Sequence, residues 1–107
     1  MFKKICILAS LSQQSAIEEA VQHYKSEGCL VDYPVEQRDK TLFEIDFDYI
    51  CRIAAADMVV AIPKYDGSFG ESVTYELAIA KYLNKPRGVY GAPPSNVPVF
   101  SAGQILI

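Results

Sequence analysis

The sequence contains no tryptophan and a single histidine, His23. Its cysteines, Cys6, Cys29 and Cys51, form no Cys-x-x-Cys pair and no Cys/His spacing of the kind that holds zinc. Their odd number and separate apolar settings argue against a disulfide framework. They read as buried free thiols in a reducing, cytoplasmic setting. No apolar run approaches the ~20 residues needed to cross a bilayer, so no membrane partner is expected. The run after Met1-Phe2-Lys3-Lys4 is only Ile5-Cys6-Ile7-Leu8-Ala9. That is shorter than the ~7–15 residues of a signal-peptide core and reads as a first buried strand. Excess charge is also small, with 10 Lys and Arg against 13 Asp and Glu. A nucleic-acid polymer is not an expected partner, because its phosphates demand clustered cations. One small anionic ligand remains compatible with that balance. No residue pattern calls for a metal or a cofactor.

What is present is an ordinary domain's worth of apolar residues, half of the 107, enough to build a core without staples. We expect a single domain over 1–107. Lys3 to Ala9 reads as a buried strand. Ser12 to Glu27 carries Ala16, Ile17, Ala20, Val21 and Tyr24 at helical spacing, with Ser15 and Glu18 at capping-box distance and Gly28 as its stop. Cys29 to Tyr33 is a second strand, halted before Pro34, and Val35 to Thr41 is a loop. Phe43 to Ala56 is read as a helix whose inward face is Phe43, Phe47, Ile50 and Ala54. Met58 to Ile62 is apolar without alternation, as in a strand covered on both faces. A Gly/Ser loop, Pro63 to Gly70, leads into a helix from Glu71 to Leu83 with Val73, Leu77 and Ala80 inward and Ala78 as a further candidate for that face. Arg87 to Tyr90 is a fourth strand, Gly91 to Pro98 a loop, and Val99 to Ile107 an apolar tail.

Strands alternating with helices predict an α/β fold: a flavodoxin-like or Rossmann-like three-layer sandwich around a four- to five-stranded parallel sheet. Such sheets bind ligands at the carboxyl ends of their strands. The loops Ser10 to Gln14, Pro34 to Thr41 and Pro63 to Ser72 all lie at that end.

The informative stretch is Ala56-Asp57-Met58-Val59-Val60-Ala61-Ile62 through Asp66-Gly67-Ser68-Phe69-Gly70-Glu71-Ser72-Val73-Thr74-Tyr75-Glu76-Leu77-Ala78. A strand empties into a Gly/Ser loop, and the loop feeds a helix whose first N–H groups favour an anion or a sugar hydroxyl. Glu76 lies close to the predicted cleft among apolar neighbours. Read alone, it is a solvated helical glutamate near a favourable dipole, and Gly67 and Gly70 are explained by turn chemistry. Gly67-x-x-Gly70 is no P-loop, because no Gly-Lys-Ser/Thr follows. Asp57 opens a strand and reads as structural. Tyr65 and Phe69 flank the loop and are candidates to stack on a base.

This block, "AADMVVAIPKYDGSFGESVTYELAIAKYLNKP", resembles the core of the nucleoside 2-deoxyribosyltransferases and of the related 2′-deoxynucleoside 5′-phosphate N-hydrolases. "ICILASLS" is similar to their first strand and loop, and "VFSAGQI" to a Val-Leu-Ser-Ala segment. The resemblance implies one deoxyribosyltransferase-like domain that cleaves or transfers at the N-glycosidic bond of a deoxyribonucleoside or its 5′-monophosphate. It makes Glu76 the nucleophile that captures the anomeric carbon as a covalent glycosyl-enzyme. It offers Asp48 as the second carboxylate, with Asp46 as the alternative. It implies substrate contacts from Ser10, Ser12, Asp66, Gly70, Ser72 and Tyr75. Ser101 matches a serine that reaches across a dimer interface, so a homodimer or larger homo-oligomer is implied.

Two departures stand out. Ser12 occupies the first-loop position where phosphate-binding members carry arginine, with Lys64 and Arg38 as the cations in loops at the same end, and Ser72 and Thr74 replace loop glycines. The competing reading is a non-catalytic module that holds a nucleotide or nucleotide-derived signal on the same fold.

Overall fold

The computed structural model describes residues 3–90. The expectations for the loop after Tyr90, the tail and Ser101 lie outside the described residues. The first strand, β1, is Lys4–Leu8. It runs through a 3-10 turn, Leu11–Gln13, into α1, Gln14–Ser26. Gly28, at φ 84°, supplies the left-handed residue that ends this helix. The chain continues as β2 (Leu30–Asp32), α2 (Leu42–Ala55), β3 (Met58–Ala61), α3 (Glu71–Tyr82) and β4 (Arg87–Val89).

The strands form one sheet in the order β2-β1-β3-β4, and each neighbouring pair is parallel. This is the Rossmann-like arrangement expected from the alternation of elements. Side chains alternate across β1 and β3, which separates the interior into two cores. Ile5 and Ile7 of β1, with Val60 and Ile62, pack against Ile17, Ala20 and Val21 of α1. Cys6 and Leu8, with Val59 and Ala61, pack against Tyr49 and Ile53 of α2 and Val73, Leu77 and Ala80 of α3. The sheet is therefore covered by α1 on one face and by α2 and α3 on the other.

Three local readings are corrected. The capping box forms at Thr41, not at Ser15. The Thr41 hydroxyl accepts from Glu44 N–H at 3.2 Å, and the Glu44 carboxylate accepts from Thr41 N–H at 3.2 Å. Helix α1 instead begins behind a turn capped by Ser10, with no side-chain cap of its own. The second correction is the phase of α2. Phe43 and Phe47 are 78% and 60% exposed, while Tyr49 and Ile53 are buried. The aromatic pair stacks on itself outside the core, with ring centroids 6.3 Å apart. The third concerns the thiols: Cys6 is buried, Cys29 is half-buried and Cys51 is exposed. Burial pushes the Cys6 thiol up to about 12, so it is inert at neutral pH. Asp57 is structural as expected, its carboxylate accepting from Lys4 N–H at 2.8 Å. Among the described residues no helix is long and apolar enough to cross a membrane.

Candidate active site

The chain leaves β1 toward β2 on one side and later returns to place β3 on the other. Between β1 and β3 the loops after the strands diverge, and this switch point is where open α/β sheets form their ligand crevice. A cleft of about 550 Å³ lies there. Ala9, Ser10 and Leu11 line it after β1, and Pro34, Val35 and Gln37 after β2. Asp46 and Tyr49 enter from α2, Lys64 from the β3–α3 loop, and Gly70, Ser72 and Glu76 from the start of α3. All three loops selected from the sequence reach it.

Leu77 and Val73 are drawn into the core, which turns Glu76 sideways into the gap between α2 and α3. Glu76 is half-buried, and its carboxyl is pushed up to about 7, mainly by loss of water and then by the charge of Asp46. A carboxyl poised at neutral pH beside a second carboxylate is a recurrent mark of acid–base or nucleophilic chemistry. The two groups also line a smaller adjoining recess with Glu71, Ser72 and Tyr75.

Asp48, the favoured second carboxylate from the sequence, is turned away. It pairs with Arg52 at 3.0 Å, a close charge contact rather than an aligned hydrogen bond, and it is not among the residues lining the cleft. Asp46 and Asp48 lie about 200° apart around the helix. With Tyr49 and Ile53 inward, only Asp46 can face α3.

The other candidates divide. Ser10, Gly70 and Ser72 line the main cleft, and Tyr75 lines the recess beside Glu76. Ser12 and Asp66 lie on a neighbouring shallow cleft with Gln13, Lys64 and Tyr65. The Ser10 and Ser12 hydroxyls lie 2.8 Å apart. Asp66 is occupied in its own turn, accepting from Ser68 N–H at 3.0 Å and Oγ at 2.6 Å, and these bonds hold its carboxyl below the usual range. Tyr65 is fully exposed, whereas Phe69 is half-buried and packs against the core.

Gln37 carried no sequence signal, and Lys64 only that of a cation in a loop at the right end. Lys64 folds across the start of α3. A Cβ at position 70 would come within 3.3 Å of Lys64 Cε and 3.4 Å of Nζ, so Gly70 makes room for the lysine. Its φ of −68° shows that glycine is not needed there for conformation. The N-terminus of α3 has no side-chain cap, and the ammonium lies beside it. Gln37 places its Oε1 at the cleft, enclosed and without a hydrogen-bond partner among the described residues. No cluster of His, Cys, Asp and Glu suited to a metal occurs among the described residues.

No family model and no curated protein matches the sequence. A solved structure does. The CMP N-glycosidase BcmB of Clostridium botulinum superposes with a TM-score of 0.63 at 17% sequence identity, over 81% of this chain. This chain spans 66% of that chain, just under two thirds of its length. The likeness establishes that the two share a fold.

Proposed function

We propose that this chain cleaves or transfers at the N-glycosidic bond of a nucleotide, with Glu76 as nucleophile and Asp46 as its partner. The observation that carries this reading is the pair itself: a half-buried glutamate facing an aspartate at the switch-point cleft. The shared fold with a CMP N-glycosidase supports it, as does the resemblance of the Glu76 block to the deoxyribosyltransferases. The Glu76 carboxylate attacks C1′ as the C1′–N bond breaks. The bonding pair leaves with the base, which takes a proton from water. Asp46 then takes a proton from water, or from the nitrogen of an incoming base, as that acceptor attacks C1′. The glycosyl ester breaks and the Glu76 carboxylate is regenerated. Deoxyribose is the sugar implied by the resemblance.

Lys64 supports a 5′-phosphorylated substrate. It supplies the positive charge that Ser12 does not, next to the uncapped start of α3 and the hydroxyls of Ser10 and Ser72. The test is release or exchange of base from ribo- and deoxyribonucleosides and their 5′-monophosphates, followed by chromatography. Lys64→Ala is expected to raise KM for the monophosphate by about 10–100-fold, the weight of one charge-assisted contact. KM for the bare nucleoside should change far less. Equal effects on both would remove Lys64 from phosphate binding. Absence of turnover across the panel, with a ligand that still raises Tm, would instead support the binding-module reading.

We also place a second copy of the chain on the outer face of α2 and α3. Phe43, Phe47, Tyr75 and Tyr82 are exposed there, beside a groove lined by Ile50, Ala78, Ile79 and Leu83 that carries no charged side chain. A two-fold axis would set this apolar face against itself, next to the open side of the carboxylate recess. Light scattering should give a dimer mass, and Phe47→Asp with Tyr82→Asp should reduce it to that of one chain. A wild-type monomer at tens of micromolar would overturn this assignment.

A further inference from the structure

The β1–β2 ladder stops one step short, and the reason is covalent. Leu30 N–H donates to Lys3 C=O at 2.9 Å, and the register then pairs Ile5 with Val31 and Cys6 with Asp32. Donors on a strand recur every second residue. The donor position after Asp32 falls on Pro34, opposite Ile7, and proline has no N–H to give. The Ile7 carbonyl is thus left facing the β2 side without a strand partner, inside the protein. The hydroxyl of Tyr49 fills the gap, donating to Ile7 C=O at 2.7 Å. Tyr49 is a buried residue whose ring also carries the Arg52 guanidinium 5.7 Å from its centre.

This bond ties α2 to the central strand at a functional place. Asp46 is one helical turn before Tyr49, and both line the cleft that holds Glu76. We propose that Tyr49 is a positioning residue: by completing the ladder where Pro34 cannot, it fixes the turn of α2 that holds Asp46 against Glu76. The inference rests on the Asp46–Glu76 reading given above. The titratable groups around Glu76 are Asp46 and Tyr49 on α2, Cys6 on β1, Glu71 on α3 itself and Lys64 in the β3–α3 loop. Burial raises both Tyr49 and Cys6 far above neutrality, so neither titrates together with Glu76.

The test is Tyr49→Phe, which removes the hydroxyl and keeps the ring. The full chain, 13C-labelled at glutamate, is titrated by NMR, a readout that needs no turnover. The Glu76 midpoint, about 7 in the unaltered protein, is expected to fall by roughly half a unit or more in the variant, because a loosened α2 both admits water and removes Asp46. Where turnover is present, kcat should fall about tenfold with KM changed less than about threefold, as expected for a displaced reacting group. Ile53→Val, a core change in the same helix, is the comparison for stability loss alone. If Tyr49→Phe lowers Tm as Ile53→Val does but leaves the Glu76 midpoint and kcat in place, Tyr49 is only a packing residue and the proposal fails. If no substrate turns over while the midpoint still moves, the glycosidase reading fails and the positioning role stands.

Discussion

Glu76→Gln is expected to reduce base release by at least about 10³-fold, because it removes the nucleophile while keeping shape and volume. The same substitution should stabilise the protein above neutral pH. The Glu76 carboxyl is raised from 4.5 to about 7 on folding, so the folded state holds this proton more tightly than the unfolded one. Its contribution therefore favours folding at low pH, declines as pH rises from about 4.5 to 7, and leaves a full penalty above that window. Glutamine carries no such penalty. Thermal unfolding at pH 8 should show the variant melting several degrees above the unaltered protein, and at pH 4 the difference should vanish. A variant that loses activity without this pH-dependent gain would mean that the carboxyl is better solvated than its position between α2 and α3 indicates. Activity of the unaltered enzyme should rise with pH through about 7, as the attacking group ionises.

Leu77→Ala carries the largest expected loss of stability. Leu77 is fully buried, in the core that Cys6, Leu8, Tyr49 and Ile53 form against α3. Truncating such a side chain loses its transfer energy and leaves a cavity, at a cost of about 2–5 kcal/mol. That is a large fraction of the ~5–15 kcal/mol available to a typical domain. For a chain of this size the midpoint should fall by roughly 10–25 °C, measurable by calorimetry or circular dichroism. A loss below about 1 kcal/mol would show that α3 and the sheet close over the gap. Ala78, the next residue and a candidate for the inward face from the sequence, is instead exposed, so Ala78→Ser should leave the midpoint nearly unchanged.

The fold was legible because its signals are local and redundant. Apolar strands without alternation, helices with a single apolar stripe and glycine stops each point to parallel strands joined by covering helices. The observed order β2-β1-β3-β4 agrees. Helix α2 shows where such reading stops. Its apolar residues include Leu42, Phe43, Ile45, Phe47, Tyr49, Ile50 and Ile53, which spread around more than one face. Periodicity alone fits two phases of the helix, and the bulkier aromatic stripe, Phe43 and Phe47, is the exposed one. The preference for Asp48 over Asp46 comes from the resemblance alone, and residues two apart point in nearly opposite directions, so the choice turns on a helix phase that the resemblance does not supply. The observable that separates the phases is Tyr49: its hydroxyl needs a buried partner, and the Ile7 carbonyl left by Pro34 provides one. Glu76 was legible through its motif. Lys64 was legible only as a cation in a loop at the right end of the sheet, because nothing in a loop sequence says that a side chain folds against a glycine six positions later.

The topology also bears on how the molecule assembles. Strand β1 pairs with β2 across a sequence separation of 26 (30 − 4) and with β3 across 53 (58 − 5). Closing the longer connection costs about 0.6 kcal/mol more in chain entropy. The β1-α1-β2 unit is therefore expected to form early, burying Ile5 and Ile7 against α1, before β3 docks. The cleft needs the loops after β1, β2 and β3 together with α2 and α3, so it is completed last. The same ordering run backwards makes it the first region to open, which leaves the carboxylate pair in the least cooperative part of the structure.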